Sequence, residues 1–212
     1  MLTVGDRLLS TYEIEKVFEG GMGIVYIARH VNQHFRVAVK SFDVLDKTRV
    51  QRIEREAINW ILLGVHPYVV RADFFHRVDG RPHLFLEYVE GGTLDDRLDA
   101  GRMSLQDCMT FALQICIGME YASSKLGLVH RDIKPQNILI GRDGAKVTDF
   151  GLSKAADVAD IDLSHSSAPR RKSVDMTQLS VAGAITGTAP YMPPEQFLDI
   201  RKTDTQSDIY SF

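Results

Sequence analysis

The chain has 212 residues, of which 44% are hydrophobic and 25% charged, with a formal net charge of −3. That balance supplies a buried core, excludes a disordered chain, and lacks the basic excess of a nucleic-acid binder. No apolar stretch reaches the roughly 20 residues that span a bilayer, and Asp6, Arg7 and Glu13 interrupt the place where a signal peptide needs a continuous apolar core. The expectation is a cytoplasmic chain without a membrane segment.

Residues 12–18, 24–30 and 36–42 read as three strands joined by a glycine turn and a polar turn, the start of an antiparallel sheet. From about 48 to 63, Val50, Ile53, Ala57, Trp60, Ile61 and Leu63 recur at helical spacing, and strands follow near 69–75 and 83–88. After Gly91-Gly92 the pattern turns helical. Ser104 with Asp107 forms a capping-box signal, and Leu105, Cys108, Ala112, Ile115, Met119, Ala122 and Leu126 sustain one apolar face for about 30 Å. Cys108 and Cys116 lie on this helix about 12 Å apart, beyond the roughly 7 Å reach of a disulfide, and are expected as core thiols. Leu128-Val129, 138–140 and 145–148 read as short strands around a polar turn. No internal repeat is present.

The expected class is α+β: a small sheet lobe over 12–88, a connector at 89–92, and a helical lobe over 93–212, with a nucleotide-sized cleft between them.

Several side chains carry chemistry in this pattern. Lys40 alternates with apolar neighbours in Val37-Ala38-Val39-Lys40, and Glu56 falls on the apolar stripe of the first helix, so the acid is expected to meet that cation. Glu54 points to the opposite side and reads as solvated. Gly20-Gly21-Met22-Gly23 lets backbone approach a phosphate, although alone it is only a hairpin signal, and no G-x-x-x-x-G-K-[ST] run is present. His30, His34, His76, His83 and His165 lack the paired spacing of a zinc site and read as surface or packing residues.

The most specific run is His130-Arg131-Asp132-Ile133-Lys134-Pro135-Gln136-Asn137, with Asp149-Phe150-Gly151 beginning 12 positions after Asn137. In that order these motifs resemble H-R-D-x-x-x-x-N and D-F-G of eukaryotic-like, bacterial-type Ser/Thr protein kinases. The resemblance covers about residue 12 to the end and implies a two-lobe protein-kinase-like fold, ATP and Mg²⁺ (or Mn²⁺) as cofactors, and protein substrates. It implies that Asp132 accepts the hydroxyl proton, that Asn137 and Asp149 hold metal, and that Lys40 and Glu56 pair to hold the α- and β-phosphates. Lys134 and Thr188 resemble the pair that marks Ser/Thr specificity. Gly20, Gly23 and Val25 match the glycine-rich loop, but Phe18 replaces its first glycine. Val25, Ala38 and Leu139 would sandwich adenine, Leu86 would be the gatekeeper, and Glu87 and Val89 would offer hinge backbone hydrogen bonds. Taken one by one an apolar strand residue is more often simply core, so these carry the reading as a set.

Arg131 would bind a phosphorylated activation segment, here 149–195, whose middle carries Arg170-Arg171-Lys172 and is expected to be mobile. Ser173, Thr177, Ser180 and Thr186 are its candidate autophosphorylation sites, Thr177 and Ser180 foremost, and a dimer would serve trans-autophosphorylation. The resemblance further implies that Asp208 anchors the catalytic-loop backbone, that Glu195 pairs with an Arg absent from this sequence, and that the helical lobe is C-terminally truncated, leaving weak stability and activity. Three readings stay open: an active kinase domain, a nucleotide-binding pseudokinase or scaffold, and an inactive fragment.

Overall fold

The computed structural model describes residues 1–20, 23–101, 103–152, 189–198 and 203–212. Six antiparallel strands, β1 (Arg7–Leu8), β2 (Tyr12–Gly20), β3 (Gly23–His30), β4 (Arg36–Ser41), β5 (Ala72–Val78) and β6 (Arg81–Glu87), form one sheet in the order β1-β2-β3-β4-β6-β5. Helix α1 (Lys47–Leu63) separates β4 from β5 in the chain and packs on the sheet. The Asp46 carboxylate caps it by accepting the Arg49 N–H at 2.9 Å, and Val50, Ile53, Ala57, Trp60 and Leu63 are buried at three- and four-residue spacing. Trp60 donates its indole N–H to the Val70 carbonyl at 2.7 Å, so its polar atom enters the core with a partner.

The remaining elements are α2 (Leu94–Asp99), α3 (Leu105–Leu126), 3₁₀ turns at Pro135–Asn137 and Ala189–Tyr191, the hairpin β7 (Ile138–Gly141) and β8 (Gly144–Val147), α4 (Pro194–Leu198) and α5 (Thr205–Ser211). One apolar cluster runs from Phe42 and Leu84 of the sheet region through Ile53 and Trp60 to Ile115, Ile138, Val147 and Phe150. This continuous core fixes the hairpin relative to both α1 and the sheet. The class is α+β, as expected.

Several expectations are corrected. The strand expected at 69–75 begins at Ala72, because Val69 and Val70 pair instead with β8: Val70 donates its N–H to Val147 O at 2.9 Å. Leu128-Val129 forms no strand; Gly127 adopts a left-handed φ of 64° and Leu128 N–H folds back to Ala122 O at 3.4 Å, wrapping the end of α3. Cys108 and Cys116 are exposed thiols rather than core thiols. The buried stripe of α3 is Phe111, Ile115, Gly118 and Ala122. At about 100° per residue its centre lies roughly 60° from the expected face, leaving both cysteines off it. Ser104 Oγ accepts the Asp107 N–H at 3.0 Å and donates to its carboxylate at 2.8 Å, which is half of the anticipated box. Sequence patterning missed β1 and α2, although Thr93 and Asp96 form the full capping box that starts α2.

Candidate active site

Lys40 sits on a central strand between Val25 of β3 and Leu84 of β6. Its side chain is only 6% exposed, and an ammonium so placed requires an anion. That anion is Asp149, whose Oδ1 lies 2.8 Å from Nζ. The expected Lys40–Glu56 pair is therefore corrected. Glu56 is half-buried, and its carboxylate rests against Gly151, where an added Cβ would come within 2.8 Å of Oε2. Asp149, at a left-handed φ of 67°, occupies the ammonium that Glu56 was expected to hold. Glu54, expected to be solvated, pairs with Arg77 of β5.

The turn at 130–137 is held from three sides. Asp208 of α5 is buried and accepts the backbone N–H of His130 at 2.7 Å and of Arg131 at 2.6 Å. His130 bonds to the Thr148 carbonyl at 2.7 Å through Nε2; since a carbonyl only accepts, Nε2 carries the proton and Nδ1 accepts the Asp132 N–H at 3.3 Å. Phe150 packs its ring 4.9 Å from His130 and 5.8 Å from Trp60, tying the segment after Asp149 to α1. Within the turn, Asn137 Nδ2 donates to Asp132 O at 2.7 Å and to Asp132 Oδ2 at 2.9 Å, while Lys134 Nζ lies 3.0 Å from the same Oδ2. Asp132 and Asn137 are 7% and 3% exposed, so a carboxylate beside a cation is kept in a low-dielectric setting.

This arrangement also tests the oxygen donors. Both Asn137 bonds use Nδ2, leaving Oδ1 as its donor oxygen, and Asp149 meets Lys40 through one oxygen, leaving the other. Two hard oxygen donors flanking the open end of β7–β8 have the chemistry of ligands to a hard divalent cation.

Leu86 is buried opposite Ala38 and Ala72, and Ala38, Val89 and Leu139 pack on the same cluster; half-buried Val25 lies outside it. Gly20 and Gly23 face each other across the β2–β3 turn, and Phe18 is 54% exposed near that end. Glu87 does more than offer backbone: its Oε1 accepts hydrogen bonds from the Arg71 N–H at 2.9 Å and from Lys146 Nζ at 2.8 Å, joining the end of β6, just before the connector, to β8. Sequence reasoning missed Lys146, whose only signal was its position three residues before Asp149. Among the described residues, a cavity of about 540 Å³ lined by Arg36, Glu90 and Lys146 lies behind this connector, and another of about 360 Å³ lies between α3 and α5. Neither is lined by Lys40, Asp132 or Asn137. Gly21, Met22, Arg170, Arg171, Lys172, Ser173, Thr177, Ser180, Thr186 and Thr188 lie outside the described residues.

The protein kinase domain profile matches residues 12–212. PknB of Mycobacterium leprae, a serine/threonine-protein kinase by name, is 31% identical over 220 residues, covering 99% of this chain and 32% of that protein. Pkn1 of Myxococcus xanthus, similarly named, is 34% identical over 220 residues, covering 98% and 28%. The chain thus spans about a third of the length of the curated relatives it matches. The crystal structure of a mutant Mycobacterium tuberculosis PknI kinase domain shares the fold, with a TM-score of 0.69 over 100% of this chain and 73% of that one at 18% identity.

Proposed function

The chain belongs to the protein kinase family, and from that premise we propose that it transfers the γ-phosphoryl group of ATP to Ser or Thr hydroxyls of proteins. The observation that carries this reading is the convergence of Lys40 on Asp149 at 2.8 Å and of Asn137 and Lys134 on Asp132 at 2.9 and 3.0 Å, on the two chain segments that meet at the open end of the β7–β8 hairpin. Asp132 orients the hydroxyl and accepts its proton. Lys134 balances the charge that collects there, and with Thr188 favours Ser or Thr over Tyr as acceptor. Asn137 and Asp149 hold a divalent cation, Mg²⁺ in this reading, with Mn²⁺ as its substitute; when bound, it neutralises the phosphate oxygens. Lys40 and Gly23 bind and orient the triphosphate, with Glu56 beside Gly151 as the second acid of the pocket. Leu86, Glu87 and Val89 line the adenine end with Val25, Ala38 and Leu139.

The test is phosphate transfer from γ-labelled ATP to a Ser- and Thr-rich protein, followed by phosphoamino-acid analysis. The wild-type chain should place label on Ser or Thr, and Asp132→Asn should lower the rate by about 10²–10⁴-fold. Equal labelling by both proteins, or none by the wild type, would overturn the reading and favour a nucleotide-binding scaffold.

A further inference from the structure

We propose that Gln114 of α3 is a positioning residue for the metal-binding pair Asn137 and Asp149, an inference that rests on the phosphoryl-transfer reading above. Those two side chains leave the open end of the β7–β8 hairpin: Ile138 pairs with Val147, and Thr148 N–H reaches Asn137 O at 3.0 Å, one step further. The closed end is held from α3. Gln114 Oε1 accepts the Ala145 N–H at 2.8 Å, and its amide lies flat against Gly144, where an added Cβ would come within 2.3 Å of Oε1 and 2.4 Å of Nε2. A glycine at 144 is what admits the amide.

One turn along the same helix is a second fixed point. An added Cβ on Gly118 would come within 2.6 Å of Tyr68 O, and that carbonyl accepts the Val147 N–H at 2.9 Å. Four helical residues rise about 6 Å and two strand residues advance about 6.6 Å, so Gln114 meets Ala145 in step with Gly118 meeting the Tyr68 carbonyl that holds Val147. Val147 lies midway between Ala145 and Asp149. If the bond at Ala145 is lost, the closed end of β8 is freed, and Val147 is the point through which that movement reaches Thr148 and Asp149. Displacements near 1 Å at a reacting centre cost up to about 10²-fold in rate. Gln114 touches neither metal nor phosphate and acts through the strand.

The experiment uses the full chain with Gln114→Met, which fills the space without an acceptor of comparable strength, and Gln114→Glu, which retains one. Mn²⁺ binding in the presence of adenylyl imidodiphosphate is followed by electron paramagnetic resonance. Amide exchange at Ala145 and the metal half-saturation of phosphate transfer are measured well below each Tm. Gln114→Met should weaken Mn²⁺ binding and raise metal half-saturation by about three- to tenfold, the scale of one hydrogen bond, with faster exchange at Ala145. Gln114→Glu should restore all three. Wild-type-like Mn²⁺ binding in Gln114→Met, or a Gln114→Glu chain as weak as Gln114→Met, would overturn the proposal while leaving the kinase reading intact. A wild-type chain that neither binds Mn²⁺ with the nucleotide nor transfers phosphate would overturn both.

Discussion

Replacing Asp208 with Ala removes the acceptor of two backbone N–H groups, at 2.6 and 2.7 Å, from a site where the carboxylate is only 6% exposed. Hydrogen bonds to a charged group contribute about 1.5–3 kcal/mol each, and water admitted by the smaller side chain recovers part of that. The net loss should be about 3 kcal/mol, a large share of the roughly 5–15 kcal/mol that holds a domain together. For a chain of this size that lowers Tm by roughly 6–12 °C. Asp208→Asn keeps one oxygen but sets an N–H donor against another, so it should lose about half as much. Thermal unfolding read together with amide exchange at His130 and Arg131 checks the account: both amides should exchange at least about tenfold faster in the Ala variant. Unchanged Tm and unchanged protection of those two amides would refute the assignment of Asp208 as the anchor of the catalytic turn.

Lys146→Ala should raise the Kd of an ATP analogue about three- to tenfold, because the 2.8 Å pair with Glu87 joins side chains only 18% and 23% exposed; isothermal titration returning the wild-type Kd would refute the tether. Gly23→Ala places a Cβ 2.3 Å from Ser41 O on a residue with φ of 128°, and should cost about 1–3 kcal/mol of stability together with nucleotide affinity, which melting with and without nucleotide would show. Burial lowers the His83 imidazole from its ordinary value, while Ser41, His76, Asp79 and Arg81 surround it. The folded state therefore favours the neutral ring, and the unfolded chain takes the proton first as pH falls. Stability from this group is whole above about pH 6.5 and declines as pH drops from there toward the folded pKa. Tm should fall between pH 7 and 5.5, and His83→Gln should flatten part of that slope; an unchanged slope would contradict it.

The catalytic turn was readable because Asp132, Lys134 and Asn137 are neighbours in sequence, so a short local pattern fixes their chemistry. The strands around Lys40 were readable for the same reason, alternation on a two-residue period. What the pattern could not decide was competition between distant groups. Glu56 and Asp149 are both acids that the sequence offers to one ammonium; Lys40 pairs with Asp149, which has a left-handed backbone, while Glu56 rests against Gly151. The Asp208 bond to His130 joins residues 78 positions apart and was reached only through family resemblance. The cysteines were misplaced because the face that α3 buries is set by Gly118 beneath Tyr68, which hydropathy alone does not register. The same close approaches, at Gly118 and Gly144, conceal the role of Gln114 from any reading of polarity.

The most direct test of the account is a crystal structure of the chain with Mg²⁺ and a non-hydrolysable ATP analogue. The metal should lie about 2.1 Å from Asn137 Oδ1 and an Asp149 carboxylate oxygen, with Lys40 against the phosphates and Asp132 facing the γ-phosphoryl group. A nucleotide bound with its phosphates away from these four side chains would contradict it.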